Sequence, residues 1–113
     1  MTNWYDCTGF QRDCLHAIAV FERRDRRPFG LALKRWLDER YDEPINHSRL
    51  YQNLQRLADM DLVDRKPTDG RETHYRLTDT GRRMLATHAR LLTSSCERSW
   101  LTADRSGGTI RGP

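Results

Sequence analysis

The stretch INHSRLYQNLQRLADMDLV, residues 45–63, carries an apolar stripe and a polar stripe on one short predicted helix. Leu50, Leu54 and Leu57 recur at spacings of four and three, which puts them on one helical face. The opposite side carries side chains that form hydrogen bonds: Ser48, Arg49, Gln52, Gln55 and Arg56. Arg can pair bidentately with guanine, Gln with adenine, and Ser with a base or a phosphate. The chemistry open to such a face is the recognition of base edges in duplex DNA.

The place of each polar residue along the helix predicts its target. Ser48, Arg49 and Gln52 lie in the first turns, where side chains of a recognition helix reach bases. For Arg49, a phosphate contact or a solvated charge stays open as an alternative. Phosphate is the predicted target of the remaining set: His47, Tyr51, Gln55 and Arg56. For His47, a position beside the cap of the helix stays open as an alternative. For Tyr51, closing the core beside the next element is an equal alternative.

The sequence contains no pattern typical of catalysis or metal binding. It has no Gly-rich phosphate loop, no nucleophile elbow and no His-Glu metal helix. The four histidines are scattered, and the three cysteines include no C-x-x-C pair. We therefore predict no enzymatic activity, no metal and no cofactor, with Cys7 and Cys14 as packing thiols.

Length and charge bound the class of protein. The 113 residues suffice for one domain, and the net charge of +4 suits a polyanionic partner. Arg supplies 18 of the 20 basic residues, although a GC-rich genome gives the same bias. No apolar run approaches the roughly 20 residues that a membrane span needs, and the N-terminus does not resemble a signal peptide. The expected location is the cytoplasm, with no membrane partner.

Three helices are predicted before residue 61. A capping box of Thr8 and Gln11 opens the first, whose apolar stripe is Phe10, Cys14, Ile18 and Phe21. It ends in a run of arginines (Arg23, Arg24, Arg26 and Arg27) that is either a solvated turn or a phosphate contact. The second spans about residues 29–41, and Pro44 and Ile45 after it are expected to form a very short strand. Asn46 caps the third, which ends near residue 60.

A hairpin follows. LVDRKP and THYRL are predicted strands, with the tip near Asp69 and Gly70. Its basic set, predicted to contact phosphate or the minor groove, is Arg65, Lys66 and Arg71.

The final predicted helix is capped by Thr78 or Asp79. Its apolar stripe has heptad-like steps and is predicted to form a two-fold dimer interface: Leu85, Ala89, Leu92, Cys96 and Trp100. The boundaries are an N-terminal arm at 1–7, a DNA-binding domain at 8–77, a dimerisation helix at 78–101 and a disordered tail at 102–113. Three helices and a hairpin give a mainly α (α+β) fold, a winged helix-turn-helix with a C-terminal dimerisation helix.

Two blocks resemble the PadR-like family of winged-helix transcription regulators. SRLYQNLQRLADMDLV is similar to its recognition helix, and GRETHYRLTDTGRRML to its wing and last helix. The segments FQRDCLHAIAVF and FGLALKRWL look like those of haloarchaeal members. Ser48, Gln52 and Asp61 stand where the family usually has Gly, Pro and Gly. The first two add polar groups to the outward face, and Asp61 is expected in a left-handed conformation.

The resemblance implies a homodimer that represses from a partly palindromic operator in double-stranded DNA. It identifies no small-molecule effector, which stays open as a partner. Two alternatives remain. One is a protein-interaction module without specific DNA binding. The other is a regulator that senses redox state or a ligand through Cys96 or an aromatic pocket.

Overall fold

The computed structural model describes residues 2–68, 70 and 72–97. A short 3-10 helix, Trp4–Asp6, precedes α1 (Gly9–Arg23), α2 (Gly30–Asp38), α3 (His47–Asp59), β1 (Val63–Pro67), β2 (Thr73–Leu77) and α4 (Asp79–Cys96). This order of elements confirms the predicted winged helix-turn-helix fold with a final helix, while dimerisation through that helix stays a prediction. The predictions for Asp69, Arg71, Trp100 and the tail 102–113 fall outside the described residues.

The predicted capping box of α1 is confirmed, and it extends to a second helix. Thr8 Oγ1 accepts a hydrogen bond from the Gln11 N–H at 3.1 Å, and Gln11 Oε1 accepts one from the Thr8 N–H at 2.9 Å. Gln11 Nε2 also donates to Asn53 Oδ1 on α3, at 3.0 Å. Within the described part of the chain, Gln11 is the only buried polar residue, at 5% exposure. The cap of α1 is therefore also a link to α3.

The segment around α2 differs from its prediction in two ways. The helix ends at Asp38, not near Tyr41, and Pro44 and Ile45 form no strand. The reason is the Asp38 carboxylate, which accepts a hydrogen bond from the Ile45 N–H at 2.7 Å and one from Lys34 at 2.9 Å. The first of these bonds, followed by the second, lowers the pKa of Asp38. Ile45 is thus held against the end of α2 and not in a sheet.

An extended residue ahead of α2 takes the place of that strand. Phe29 forms an isolated antiparallel bridge with His74, and the Tyr75 N–H donates to the Pro28 carbonyl at 3.1 Å. Phe29 therefore lies along the edge of β2 that β1 leaves open.

The end of α3 and the hairpin follow the sequence closely. Asn46 caps α3 by accepting from the Arg49 N–H at 2.9 Å. Asp61 has φ 62°, the left-handed conformation expected for it. β1 and β2 pair antiparallel from Val63 opposite Leu77 to Pro67 opposite Thr73.

The core lies between the first three helices and the inner face of the hairpin. Its fully buried side chains come from every one of these elements: Leu15, Ile18, Leu33, Leu37, Leu50, Leu54, Leu57, Leu62 and Val63. Trp36 and Phe29 are only half-buried. Burial of this apolar set is the main stabilising contribution to the fold.

α4 begins in close contact with the segment that follows α3. Thr78 Oγ1 accepts from the Gly81 N–H at 2.9 Å and donates to the Asp61 carbonyl at 2.8 Å. Gly81 is buried, and a Cβ placed on it would lie 2.2 Å from the Leu62 carbonyl oxygen. Only a glycine fits here, because the obstructing atom is backbone and cannot rotate away.

The far part of α4 is open to solvent. Leu85 is half-buried against the core, whereas Leu91 and Leu92 are 54% and 55% exposed. The predicted stripe is therefore divided between the core and an exposed surface. Within residues 2–68, 70 and 72–97, no helix is long and apolar enough to cross a membrane.

The contact at Gly81 predicts a stability difference between two glycines. Gly81→Ala should lower the free energy of unfolding by roughly 1–3 kcal/mol, since the added methyl overpacks against backbone. Gly9→Ala is the matched control, because a Cβ at the start of α1 meets nothing within 4 Å. That change should raise stability, by no more than roughly 1 kcal/mol. Urea denaturation of both variants measures the difference, and equal stabilities would contradict the close packing at Gly81.

Candidate nucleic-acid interface

The outward face of α3 is polar, as predicted. Ser48, Gln52 and Gln55 fall in line on the side opposite the three buried leucines, and all three are exposed. The Gln55 amide donates to the Asp59 carboxylate at 2.9 Å. Within the part of the chain described, the side chains of Ser48, Gln52 and Arg56 form no hydrogen bond. Their polar groups are therefore available to a partner.

Arg49 lies on the flank of α3 that faces α1. Its guanidinium carbon is 4.0 Å from the centre of the Phe10 ring, a cation–π contact. The Phe10 ring also contacts Tyr41, whose hydroxyl donates a hydrogen bond to the Asp13 carboxylate on α1. Burial, followed by this bond, raises the pKa of Tyr41 to about 12. Base contact by Arg49 stays a prediction, and it requires the guanidinium to leave the Phe10 ring.

Asn53 holds the same flank of α3 in place, a role that the sequence analysis missed. Its amide nitrogen donates to the Arg49 carbonyl at 2.8 Å, and its oxygen accepts from Gln11. The available signal was a polar residue at the border of the leucine stripe, facing a capping-box glutamine. Asn53 thus positions the turn of α3 that carries the predicted base-contacting residues.

On the opposite flank of α3, Tyr51 packs against the start of α2. A Cβ on Gly30 would lie 2.1 Å from the Tyr51 hydroxyl oxygen, so the ring sits directly on that glycine. The His47 ring lies beside it, with 4.7 Å between ring centres. Burial raises the pKa of Tyr51. Tyr51 therefore closes the space between α2 and the hairpin, the second of its two predicted roles, while a phosphate contact stays untested.

The strand register divides the basic residues of the hairpin between its two faces. Arg65 stands opposite Tyr75, whereas Lys66 stands opposite His74 on the other face. Arg65 lines a groove of about 360 Å³ together with His47 and Tyr51 of α3. Arg65 therefore adjoins α3, and Lys66 belongs to the outer face of the sheet.

The cysteines occupy two environments. Cys7 and Cys14 are buried, and burial raises the pKa of Cys14 to about 12. Cys96, near the end of α4, is exposed. In the described ranges, no three His, Cys, Asp or Glu side chains are grouped so that they could hold a metal ion.

A largely apolar groove of about 440 Å³ lies between the N-terminal segment and α4. The Trp4 ring stacks on His88 with 4.3 Å between ring centres, and Tyr5, Met84 and Leu91 line the groove as well. This is the aromatic pocket to which the ligand-sensing alternative would apply.

Comparisons with known proteins agree with the predicted resemblance. The sequence profile of the transcriptional regulator PadR-like family matches residues 19–87. A complex structure of RosR is 31% identical, with a TM-score of 0.72, over 93% of this chain and 94% of that one, and a structure of RosR from H. salinarum is 29% identical with the same TM-score, over 93% and 97% of the two chains. A RosR complex is 28% identical with a TM-score of 0.75, over 97% and 100% of the two chains.

A more distant structure shares the fold. A point mutant of MarR from E. coli, complexed with operator DNA, is 23% identical with a TM-score of 0.65. The likeness covers 84% of this chain and 62% of that one. No match was found among curated proteins.

The two cysteine environments predict selective alkylation. At about pH 8, iodoacetamide should modify Cys96 in the native protein and leave Cys7 and Cys14 unmodified, because buried thiols with raised pKa hold little thiolate. Mass spectrometry of the intact protein and its peptides measures this, with Cys96→Ser as the control that takes up no label. Fast labelling of Cys14 in the native state would contradict its burial.

Proposed function

This chain belongs to the transcriptional regulator PadR-like family, and we propose that it is a homodimeric repressor that binds a partly palindromic operator in double-stranded DNA. Proteins of this family are DNA-binding transcription factors with a winged-helix fold, not enzymes. We assign α3 to the major groove, the hairpin to the adjacent backbone as the wing, and the protein to the cytoplasm.

The observation that carries this proposal is the outward face of α3. Ser48 and Gln52 project from a helix that is anchored by fully buried leucines, and their polar atoms lack partners within the described chain. Polar groups arranged in this way suit the donors and acceptors of base edges. Because relatives usually carry Gly and Pro at these two positions, we expect a sequence preference that differs from theirs.

Arg49 adds a second step to recognition. The free protein holds its guanidinium on Phe10, so base contact requires exchange of a cation–π contact for a bidentate pair with guanine. An exposed cation–π contact contributes roughly 0.5–1 kcal/mol. A good bidentate pair with a base contributes more, roughly 1–3 kcal/mol. The balance favours the DNA contact where guanine is present.

Phosphate contacts position the protein on the duplex. We assign this role to Arg65 beside α3, to His47, Tyr51, Gln55 and Arg56 along the helix, and to Lys66 and Arg71 in the wing. Neutralising phosphates releases counterions, so binding should weaken steeply as salt rises.

Dimerisation is assigned to the exposed part of α4. Leu92 and Cys96 are exposed on the face of α4 that begins with Leu85 and Ala89. In a two-fold dimer this apolar face would pack against the same face of a second copy, so that both copies are buried. A dimer of this kind would set two copies of α3 in successive major grooves, about 10 base pairs apart or a multiple of that.

The other readings have less support. An interaction module would present an apolar or acidic α3 face, whereas this one carries Ser, Gln and Arg. Sensing through Cys96, or of an effector in the groove beside Trp4, is compatible with a DNA-binding regulator and would modulate it.

The reading role of α3 is tested with Gln52→Ala. Against a duplex selected from a random pool, this change should cost about 1–3 kcal/mol of binding free energy and relax the preference at one base position per half-site. Gln55→Ala is the matched control, with the same truncation on the same face. It should weaken binding to duplexes of every sequence by the same factor. Fluorescence anisotropy with single-base variants of the duplex measures both effects.

Two results would contradict this assignment. One is a Gln52→Ala variant that retains full discrimination between bases. The other is a wild-type protein that shows no binding to any duplex at low salt, which would remove the proposed function altogether.

The dimer is tested with Leu92→Asp. Covering Leu92 in both subunits should contribute roughly 1.5–3 kcal/mol for each side chain, so a buried Asp should dissociate the dimer and weaken operator binding. Leu91→Asp is the control, since Leu91 is equally exposed but lines the groove beside Trp4. Sedimentation velocity distinguishes the two. A dimer lost in Leu91→Asp and kept in Leu92→Asp would move the interface to that groove.

A further inference from the structure

A second group of basic side chains lies on the outer face of the hairpin, away from α3. It comprises Arg26, Arg27, Lys66, His74 and Arg76, and we call it the outer basic cluster. These residues come from the α1–α2 loop, β1 and β2. Sequence reasoning left the loop arginines open between a solvated turn and a phosphate contact.

The edge contact of Phe29 brings the loop to the strands. Phe29 bridges to His74, and the Pro28 carbonyl accepts a hydrogen bond from the Tyr75 N–H. The loop residues directly before Pro28 therefore lie beside β2. The strand register adds Lys66, directly opposite His74. Arg26, Arg27, His74 and Arg76 line one open groove of about 440 Å³.

Three acidic side chains lie near this cluster, but none forms an ion pair with its arginines or its lysine in the described chain. Glu22 lines the same groove, but its carboxylate accepts from the Leu77 N–H at 2.9 Å and from Arg82 at 2.7 Å. Asp25 lies in the groove and Asp64 stands opposite Arg76 in the sheet. Of the three ion pairs in the described chain, none includes an arginine or lysine of the cluster.

The half-buried His74 reports the resulting positive field. Its pKa is lowered by burial, and further by the charges of Arg27, Arg76 and Lys66. Like charges held together in this way are relieved when a polyanion approaches.

The shape of the cluster selects the kind of anion. Its arginines and its lysine are all exposed, and they spread over a loop and two strands. A small anion would gain no enclosure here, whereas an extended row of phosphates can contact several of these side chains at once. Resting on the proposed function, we propose that the outer basic cluster binds the phosphate backbone of the duplex that flanks the operator. The hairpin then contacts DNA from both of its faces.

The test compares two duplexes that carry the same selected operator. One ends at the outer edge of each half-site and the other extends about 10 base pairs, one helical turn, beyond each edge, so that only the second has flanking backbone. Arg27→Ala with Arg76→Ala should lower the salt slope on the long duplex by about 1.8 units per bound protomer, at about 0.9 for each lost phosphate contact. On the short duplex the slope should not change. The hydroxyl-radical footprint of the alanine double variant on the long duplex should be shorter at both ends than that of the wild type.

Controls separate this effect from changes in net charge and in folding. Arg83→Ala with Arg90→Ala removes the same charge from α4 and should leave the footprint at its full length. Arg27→Lys with Arg76→Lys should restore the slope, and thermal melting should be unaltered because both side chains are exposed.

The outcomes are distinguishable. If the wild type and the alanine double variant behave alike on the long duplex while both bind the operator, the cluster does not contact DNA and the proposed function stands. An equal loss in the α4 control would reduce the effect to net charge and overturn the proposal. If the wild type binds neither duplex, the proposed function and this inference fail together.

Discussion

The side-chain amide of Gln11 is the interaction on which the arrangement of the helices depends. Its oxygen completes the cap of α1 and its nitrogen donates to Asn53 on α3, so one buried group satisfies both elements. A buried amide without these partners would cost free energy. Burial of the apolar core brings the helices together, but the hydrophobic effect is non-directional. The hydrogen bonds of Gln11 determine which turn of α3 lies against the start of α1.

Contacts on both flanks of α3 position the exposed polar face of this helix. On one side Asn53 passes the Gln11 contact on to the Arg49 carbonyl, and on the other Tyr51 rests on Gly30. The exposed face between these flanks needs no contact of its own to be positioned. Its residues can therefore change without loss of that position, and two of the three departures from the family pattern, Ser48 and Gln52, lie there.

Sequence reasoning predicted what local patterns encode and missed what distant contacts decide. The leucine stripe, the caps at Thr8 and Asn46 and the left-handed Asp61 each follow from a few neighbouring residues. The bridge at Phe29 could not be foreseen, because its partner is 45 positions away in the chain. The orientation of Arg49 was missed for the same reason, since helical periodicity places a Cα on a face but does not show that Phe10 would draw its side chain aside.

The start of α4 is held tightly by the segment that follows α3. The Thr78 hydroxyl bonds to two backbone groups, one in α4 and one just after α3, and Gly81 leaves no gap beside Leu62. These contacts join the start of α4 to the segment between α3 and the hairpin, so a tilt of this helix would be passed on to that segment. A ligand or a second protein chain that contacts the exposed length of α4 would therefore act on the position of the hairpin and of α3 through this one rigid contact.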